Sequence, residues 1–139
     1  MPTYAAERKL LDPALSPGDA PYFEAAAMGR LLVKHCNSCG EVHHYPRAIC
    51  PFCWSSAVEW MDARGTGTVY TYSVTRRGAD APYCIAYVSL DEGPVVMTNI
   101  VGTDLDQVRI GQRVRVVFQA SGGGTALPMF TPIADGTSA

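Results

Sequence analysis

The sequence predicts a mainly β protein in which a short helical arm leads into a four-cysteine ribbon and then a five-stranded barrel. Two observations support this order. Two C-x-x-C pairs, separated by ten residues, lie within residues 36–53, and from residue 58 onward apolar residues recur at every second position between turn signals. With 139 residues, of which 47% are apolar, the chain is long enough for one ordinary domain or two small ones.

Residues 1–30 are expected to form an N-terminal arm that ends in a short helix. Three prolines punctuate the first part of the arm and predict irregular structure there. Asp19 is a candidate N-cap for a helix that we predict from about Pro21 to Met28. The apolar face of this helix contains Tyr22 and Phe23, and either packs against the ribbon or docks another protein.

The ribbon, expected over residues 31–57, takes its chemistry from Cys36, Cys39, Cys50 and Cys53. A C-x-x-C turn holds a metal ion with two thiolates, and two such knuckles complete a tetrahedral all-sulfur site. We therefore predict a structural zinc ion. Two disulfides, buried thiols or a rubredoxin-type iron centre are the alternatives that the residues leave open. Disulfides require an oxidising compartment, and the N-terminus lacks the apolar run of a secretory signal, so we expect a cytoplasmic protein.

Other residues in and after the ribbon are expected to play no part in the metal site. His43 and His44 lie between the knuckles and are predicted to be exposed, because four thiolates already complete the coordination. Trp54 and Trp60 flank the junction with the barrel and are expected to pack the two parts together. Cys84 lies in an alternating strand and is predicted to be a small core residue.

Residues 58–134 are expected to form the barrel, and residues 135–139 a short tail. Short alternating runs, bounded by glycine, proline and acidic turn signals, predict five strands. Five short strands favour a small closed barrel of the OB-fold type over a sandwich, which needs about seven. The predicted strands are Thr66–Thr75, Tyr83–Leu90, Val95–Val101, Arg113–Gln119 and Leu127–Pro132.

Two loops are candidate ligand sites, because OB-folds bind through the loops between strands one and two and between strands four and five. The first contains Arg76 and Arg77, whose guanidinium groups suit phosphate or carboxylate. The second, residues 121–125, is glycine-rich and allows a ligand to approach the backbone closely. A solvated loop and a mobile hairpin are the alternative interpretations. The sequence contains no Ser–His–Asp pattern, no paired carboxylates in an apolar context and no phosphate loop, so no catalytic residue is predicted.

The charge distribution argues against nucleic acid as a partner. The formal net charge is −2; residues 1–57 hold five basic and five acidic side chains, and residues 58–139 hold six basic and eight acidic ones. Binding to a phosphate backbone requires a positive excess that neither part has, although the tyrosines of the barrel could stack bases. No apolar run is long enough to span a bilayer, so no membrane partner is predicted either.

The order of motifs closely resembles the "domain of unknown function 35" family, which joins a rubredoxin-like zinc ribbon to an OB-fold. The resemblance covers about residues 21–133, and its combined motifs are specific. They are FEAAAxGRLLV at 23–33, CxxCG at 36–40, YPR at 45–47, CPxC at 50–53, EW at 59–60, GxGxVYxY at 65–72, LDEGP at 90–94, MTNIVG at 97–102 and RIGxxVRVVF at 109–118.

This resemblance implies a non-catalytic accessory subunit for acyl-CoA chemistry. Such proteins accompany thiolase-fold enzymes, lipid-transfer-type thiolases and aldolases, and MaoC-like enoyl-CoA hydratases, in several bacterial cases in steroid side-chain degradation. The chain would then be a required subunit of an aldolase or thiolase complex rather than an enzyme by itself, with an acyl-CoA shared at the interface. The four cysteines carry over as zinc ligands and no catalytic residue does. The alternatives are a partner of a hydratase, a CoA-binding module and, less favoured, a nucleic-acid-binding OB-fold.

Aromatic side chains in excess of what a small ribbon and barrel bury are expected at the interface with that partner. Such residues anchor protein interfaces. The candidates for this exposed set are Tyr22, Phe23, Phe52, Trp54 and Phe130.

Overall fold

The computed structural model describes residues 10–14, 17–77 and 82–133, and these residues form one α-helix and eight strands in two sheets. The mainly β prediction is confirmed. The predicted tail lies outside the described residues. The elements are α1 (Ala20–Ala27), β1 (Leu32–Cys36), β2 (Val42–His43), β3 (Val58–Asp62), β4 (Thr66–Thr75), β5 (Tyr83–Leu90), β6 (Val95–Asn99), β7 (Arg113–Ala120) and β8 (Ala126–Pro132).

Helix α1 lies within one residue of its predicted bounds and follows a 3-10 turn at Pro17–Asp19. Asp19 occupies the N-cap position, but its side chain makes no capping hydrogen bond to the helix. Beyond the helix, Gly29 adopts a φ of 79°, the left-handed conformation that commonly ends helices. Tyr22 and Ala25 are buried on the face that packs against β8 and β1. This face of α1 therefore packs within the molecule.

The ribbon is a three-stranded antiparallel sheet in the order β2-β1-β3. Strand β3 pairs with the whole of β1, from Leu32 opposite Asp62 to Cys36 opposite Val58. It follows the second knuckle in sequence and returns the chain to the ribbon. The residues at the expected start of the barrel therefore lie in the sheet of the ribbon.

The barrel is a five-stranded antiparallel sheet in the order β6-β5-β4-β7-β8. Its two outer strands approach each other where Ile100 forms a parallel bridge with Phe130. At this point the N–H of Val101 donates to the carbonyl of Phe130 at 2.9 Å. The sheet is thus a nearly closed barrel, and the predicted OB-fold is confirmed.

A single hydrophobic core joins the helix, the ribbon and the barrel. It contains fully buried residues from the ribbon strand β1, such as Val33, and from the barrel, such as Val69, Val88 and Phe130. Cys84 is fully buried in this core, as predicted, and burial raises the pKa of its thiol. Because the two sheets share one core, the ribbon is held in a fixed position on the barrel.

Candidate functional site

The first knuckle is a tight turn at the end of β1. The N–H of Gly40 donates to the carbonyl of Cys36 at 2.9 Å, and the N–H of Cys36 donates to the carbonyl of Glu41 at 2.9 Å. Gly40 adopts a φ of 79°, which glycine reaches without steric cost. This turn returns the Cys39 side chain toward Cys36.

The second knuckle repeats this hydrogen-bond pattern with a different residue at the corner. The N–H of Trp54 donates to the carbonyl of Cys50 at 2.9 Å, and the N–H of Cys50 donates to the carbonyl of Ser55 at 2.8 Å. Trp54 has a φ of 67° and takes the place of Gly40 in the first knuckle. A left-handed backbone costs a residue with a side chain roughly 1–2 kcal/mol.

The two tryptophans at the junction have different environments. Trp54 is 82% exposed, so the expectation that it packs ribbon against barrel is wrong. Its position explains this, since it occupies the outer corner of the knuckle turn, where Gly40 is also exposed in the first knuckle. Trp60 does pack against the shared core, and the ammonium of Lys34 lies 4.4 Å from the centre of its ring.

The four knuckle cysteines form a cluster with the dimensions of a zinc site. Their sulfur atoms all lie within 4.8 Å of one another; Cys36 Sγ is 3.6 Å from Cys53 Sγ, and Cys39 Sγ is 3.7 Å from Cys50 Sγ. Zinc–sulfur bonds of about 2.3 Å in a tetrahedron place the sulfurs about 3.8 Å apart. A disulfide requires about 2.05 Å, and all four cysteines are free. The cluster therefore fits a structural zinc ion.

The protonation of these thiols also favours a cation. The backbone N–H of Cys39 is the main cause that lowers the pKa of the Cys36 thiol to about 6. The N–H of Glu41 likewise lowers the pKa of the Cys39 thiol. Burial and the neighbouring thiols outweigh this effect, however, and raise the pKa of Cys39 to about 12. Four adjacent sulfurs do not all ionise without a compensating charge, and a divalent ion removes this conflict.

The two histidines between the knuckles are not exposed, which corrects the prediction. His43 is 5% exposed because it lies in β2 and pairs with Lys34 of β1. His44 is half-buried because it packs against α1, where the Tyr22 hydroxyl lies 3.1 Å from its Nε2 atom. Both ring nitrogens of His43, and Nδ1 of His44, are buried without a hydrogen-bond partner among the described residues. Neither histidine belongs to the four-sulfur cluster.

Of the two predicted arginine ligand residues, Arg76 forms an ion pair with Asp106. Arg77 is exposed, and the next four residues of its loop lie outside the described residues. The guanidinium of Arg76 is therefore partly neutralised within the chain. The two arginines lie at the end of β4, remote in sequence from the knuckles.

The glycine-rich hairpin between β7 and β8 is held by the N-terminal arm. A carboxylate oxygen of Asp12 accepts hydrogen bonds from the Ser121 hydroxyl and from the N–H of Gly123, the latter at 2.8 Å. The N–H of Gly122 donates to the carbonyl of Leu10 at 2.9 Å. These hydrogen bonds lower the pKa of Asp12. The second candidate ligand loop is thus occupied by the chain's own carboxylate, and the sequence contains no local signal for this long-range contact.

The five aromatic residues expected at a partner interface fall into two groups. The predicted exposure is wrong for Tyr22 and Phe130, which are only 7% and 1% exposed. Tyr22 is buried because α1 packs on the core, and Phe130 because it faces the barrel interior. Phe23 is partly buried against the same core. Phe52 and Trp54, in contrast, are 60% and 82% exposed on the second knuckle. In the described part of the chain, no helix is long and apolar enough to cross a bilayer.

Two family models match consecutive parts of the chain. The model described as the ChsH2 rubredoxin-like zinc ribbon domain matches residues 23–59, and the model described as the ChsH2 C-terminal OB-fold domain matches residues 60–119. These matches agree with the ribbon and barrel seen in the structure.

Curated relatives include proteins of bacteria and archaea. The probable enoyl-CoA hydratase alpha subunit of Thermomonospora curvata is 36% identical over 124 residues, which are 86% of this chain and 39% of that protein. The chain therefore spans about two fifths of the length of this relative. A DUF35 domain-containing scaffold protein of Methanothermobacter thermautotrophicus is 38% identical over 95 residues, which are 64% of this chain and 71% of the relative.

Solved structures show the same architecture. A chain of a structure described as the Ltp2-ChsH2(DUF35) aldolase is 35% identical with a TM-score of 0.75, and the similarity covers 87% of this chain and 98% of that one. A DUF35-family protein of unknown function from Sulfolobus solfataricus is 15% identical with a TM-score of 0.62, over 85% of this chain and 87% of that one, and shows a similar fold.

Proposed function

Because the chain belongs to the DUF35 family of zinc-ribbon and OB-fold proteins, we propose that it is a non-catalytic subunit that binds and completes a thiolase-fold acyl-CoA enzyme. The partner would be a lipid-transfer-type aldolase or a thiolase, acting on an acyl-CoA held at the shared interface. In this proposal the partner supplies the acid, base and nucleophile. This chain supplies a surface that orders the partner's loops or covers its CoA tunnel.

The observation that carries the proposal is the similarity to the Ltp2-ChsH2(DUF35) aldolase chain. The alignment covers 98% of that chain at 35% identity, so the two chains correspond over both ribbon and barrel. The steroid side-chain setting that the family resemblance implies belongs to the same proposal. Arg76 and Arg77 are retained as candidate contacts for CoA phosphates, although Arg76 already forms an ion pair with Asp106.

In this proposal the zinc ion has a structural role. Cys36, Cys39, Cys50 and Cys53 would hold it, and it would fix the two knuckle turns relative to each other. Four protein ligands leave no open coordination position for a substrate, so the ion would take no part in the reaction.

Co-expression with a thiolase-fold enzyme from the same organism tests the proposal. Size exclusion should show one hetero-oligomer, which we expect to be a heterotetramer built on the partner's dimer. Carbon–carbon bond cleavage or ligation on an acyl-CoA should require both subunits. Full activity of the partner alone, or activity of this chain alone, would refute the accessory role.

A second candidate function follows from the Thermomonospora curvata relative, whose name is that of an enoyl-CoA hydratase alpha subunit. This chain would then complete a MaoC-like hydratase. The match spans 39% of that relative, and this second proposal assigns the hydratase chemistry to a part of the complex outside these 139 residues. Hydration of an enoyl-CoA, followed at the absorbance of the conjugated double bond, distinguishes this activity from aldol cleavage.

A further inference from the structure

One side of the barrel carries no charge. Strands β4, β5 and β6 are neighbours in the sheet, and their 23 residues include no aspartate, glutamate, lysine, arginine or histidine. The neighbouring strand β7, in contrast, contains Arg113 and Arg115. Soluble proteins usually place charged side chains on exposed strands at the edge of a sheet, because charges prevent unwanted pairing. An uncharged outer surface over three strands is therefore informative.

The outward side chains of these strands form one contiguous patch. Tyr87 of β5 pairs with Met97 of β6, and Ser89 of β5 pairs with Val95 of β6. Ile85 lies two residues from Tyr87 on the same face, because side chains alternate along a strand. The residues between them on β5 are buried in the core. We call Ile85, Tyr87, Val95 and Met97, with the neutral polar residues beside them, the uncharged face.

The exposure of these four side chains is high for apolar residues in a sheet. Ile85 is 39% exposed, Tyr87 44%, Val95 46% and Met97 55%. Together they present on the order of 350 Å² of surface, within the range of the largest apolar patches on ordinary monomers, which often have a function. Tyrosine and methionine are enriched, and charged residues depleted, at the centres of protein interfaces.

Charged residues lie at both ends of the uncharged face. Asp91 and Glu92 form the turn between β5 and β6, and Arg76 and Arg77 follow β4 at the opposite end of the strands. This arrangement of a neutral centre and a charged rim matches the anatomy of protein interfaces. It does not suit a phosphate or carboxylate ligand, because the face itself offers no cation to such a group.

We propose that the uncharged face docks to an apolar, uncharged surface of the partner enzyme. This inference rests on the proposed function and adds the surface through which the complex forms. The partner enzyme is the expected occupant because a chain 35% identical to this one belongs to a structure described as the Ltp2-ChsH2(DUF35) aldolase. Two copies joined through these side chains would bury roughly 700 Å², below the roughly 1,200 Å² of a stable interface. The same limit holds for any partner that contacts these side chains alone, so the complex must also bury part of the charged rim.

The test introduces a positive charge into the face and measures the affinity for the co-expressed partner. Met97→Lys should weaken the complex about tenfold and Met97→Lys with Tyr87→Lys about a hundredfold, because central interface residues contribute most of the binding energy. Ile110→Lys is the control: Ile110 is 69% exposed and lies outside the face. It should change the affinity less than twofold. All variants should keep the unmodified thermal midpoint, since exposed substitutions have small effects on folding.

Each outcome decides the proposal. Unchanged affinity of the double variant, with the complex intact, overturns the docking face and leaves the accessory function standing. An equal loss of affinity in the Ile110→Lys control overturns the assignment of the docking surface to this face. Self-association of the isolated chain that Met97→Lys abolishes makes a second copy the occupant and also overturns the proposal. Absence of any complex with the unmodified chain overturns the accessory function and the docking face together.

Discussion

Acid should destabilise the protein through His44. The ring of His44 lies between α1 and the loop of the ribbon, with its centre 5.7 Å from the ring of Tyr22 and 4.6 Å from that of Tyr45. Burial lowers the pKa of His44 from 6.5 to about 4. Burial also raises the pKa of Tyr22, so its hydroxyl stays protonated and shares a hydrogen bond with Nε2 of the neutral His44 ring. A second proton on the ring would place a positive charge in this buried site, away from solvent.

The sign and size of the effect follow from this pKa. The unfolded chain binds the proton more readily than the folded one, so stability is complete above pH 6.5 and falls as the pH drops toward 4. At pH 5 the unfolded pKa is 1.5 units above the pH, and the folded pKa is below it. The loss in the free energy of unfolding at pH 5 is therefore about 2 kcal/mol.

Urea unfolding of the unmodified chain and of His44→Gln, at pH 7.5 and at pH 5.0 in excess zinc, measures this loss. Glutamine keeps an acceptor for Tyr22 but does not titrate. Protonation of the zinc thiolates destabilises both proteins alike, so the readout is the difference between their losses on acidification. We expect the unmodified chain to lose about 2 kcal/mol more than His44→Gln. Equal losses would show that His44 is not the titrating group and would refute the reasoning.

Four further predictions concern the metal, two backbone positions and the charge. Purified protein should hold one zinc ion per chain. Cys39→Ser should disorder the ribbon, because structural zinc sites contribute about 10–16 kcal/mol of apparent binding free energy. Bound iron, or a folded chain without metal, would contradict this prediction. Gly67→Ala should lower the free energy of unfolding by more than about 2 kcal/mol, because the added Cβ would lie 2.5 Å from the carbonyl oxygen of Ser89 on the neighbouring strand. The control is Gly18→Ala, where the added Cβ would meet nothing within 4 Å; it should be nearly neutral in the same urea titration. Trp54→Gly should change the free energy of unfolding by less than about 1 kcal/mol, since relief of the left-handed backbone offsets the entropy of glycine; a larger loss would mean that the indole packs on the ribbon. Single-stranded oligonucleotides should bind no tighter than roughly 10⁻⁴ M at physiological salt, and a micromolar complex that weakens steeply with salt would overturn that expectation.

Local patterns in the sequence predicted the parts of the fold that local physics determines. The strands of the barrel were found because the alternation of apolar residues has a period of two, as in Tyr83–Leu90, where both predicted bounds agree with the structure. The four-sulfur cluster was found because thiolate pairs at C-x-x-C spacing suit one metal ion.

Contacts between distant residues account for the errors. His44 is half-buried because Tyr22 lies against it, 22 residues earlier in the chain, and no local pattern indicates this pair. Phe130 was expected at a surface, but the bridge to Ile100 closes the barrel over it. The uncharged face was missed for a related reason, since its residues become neighbours only through the register of β5 and β6.

The hydrogen bonds between Asp12 and the β7–β8 hairpin have a consequence for the order in which the protein folds during synthesis. Asp12 and Gly123 are 111 residues apart, and α1 packs against β8, which is translated after every other described strand. The cysteines of the ribbon emerge long before that strand, so zinc can close the knuckles while the arm still has no partner. Asp12 is therefore held in place only after the knuckles have closed. A nascent chain stalled before β8 would hold a finished ribbon, with Asp12 still lacking the hairpin groups that donate hydrogen bonds to it.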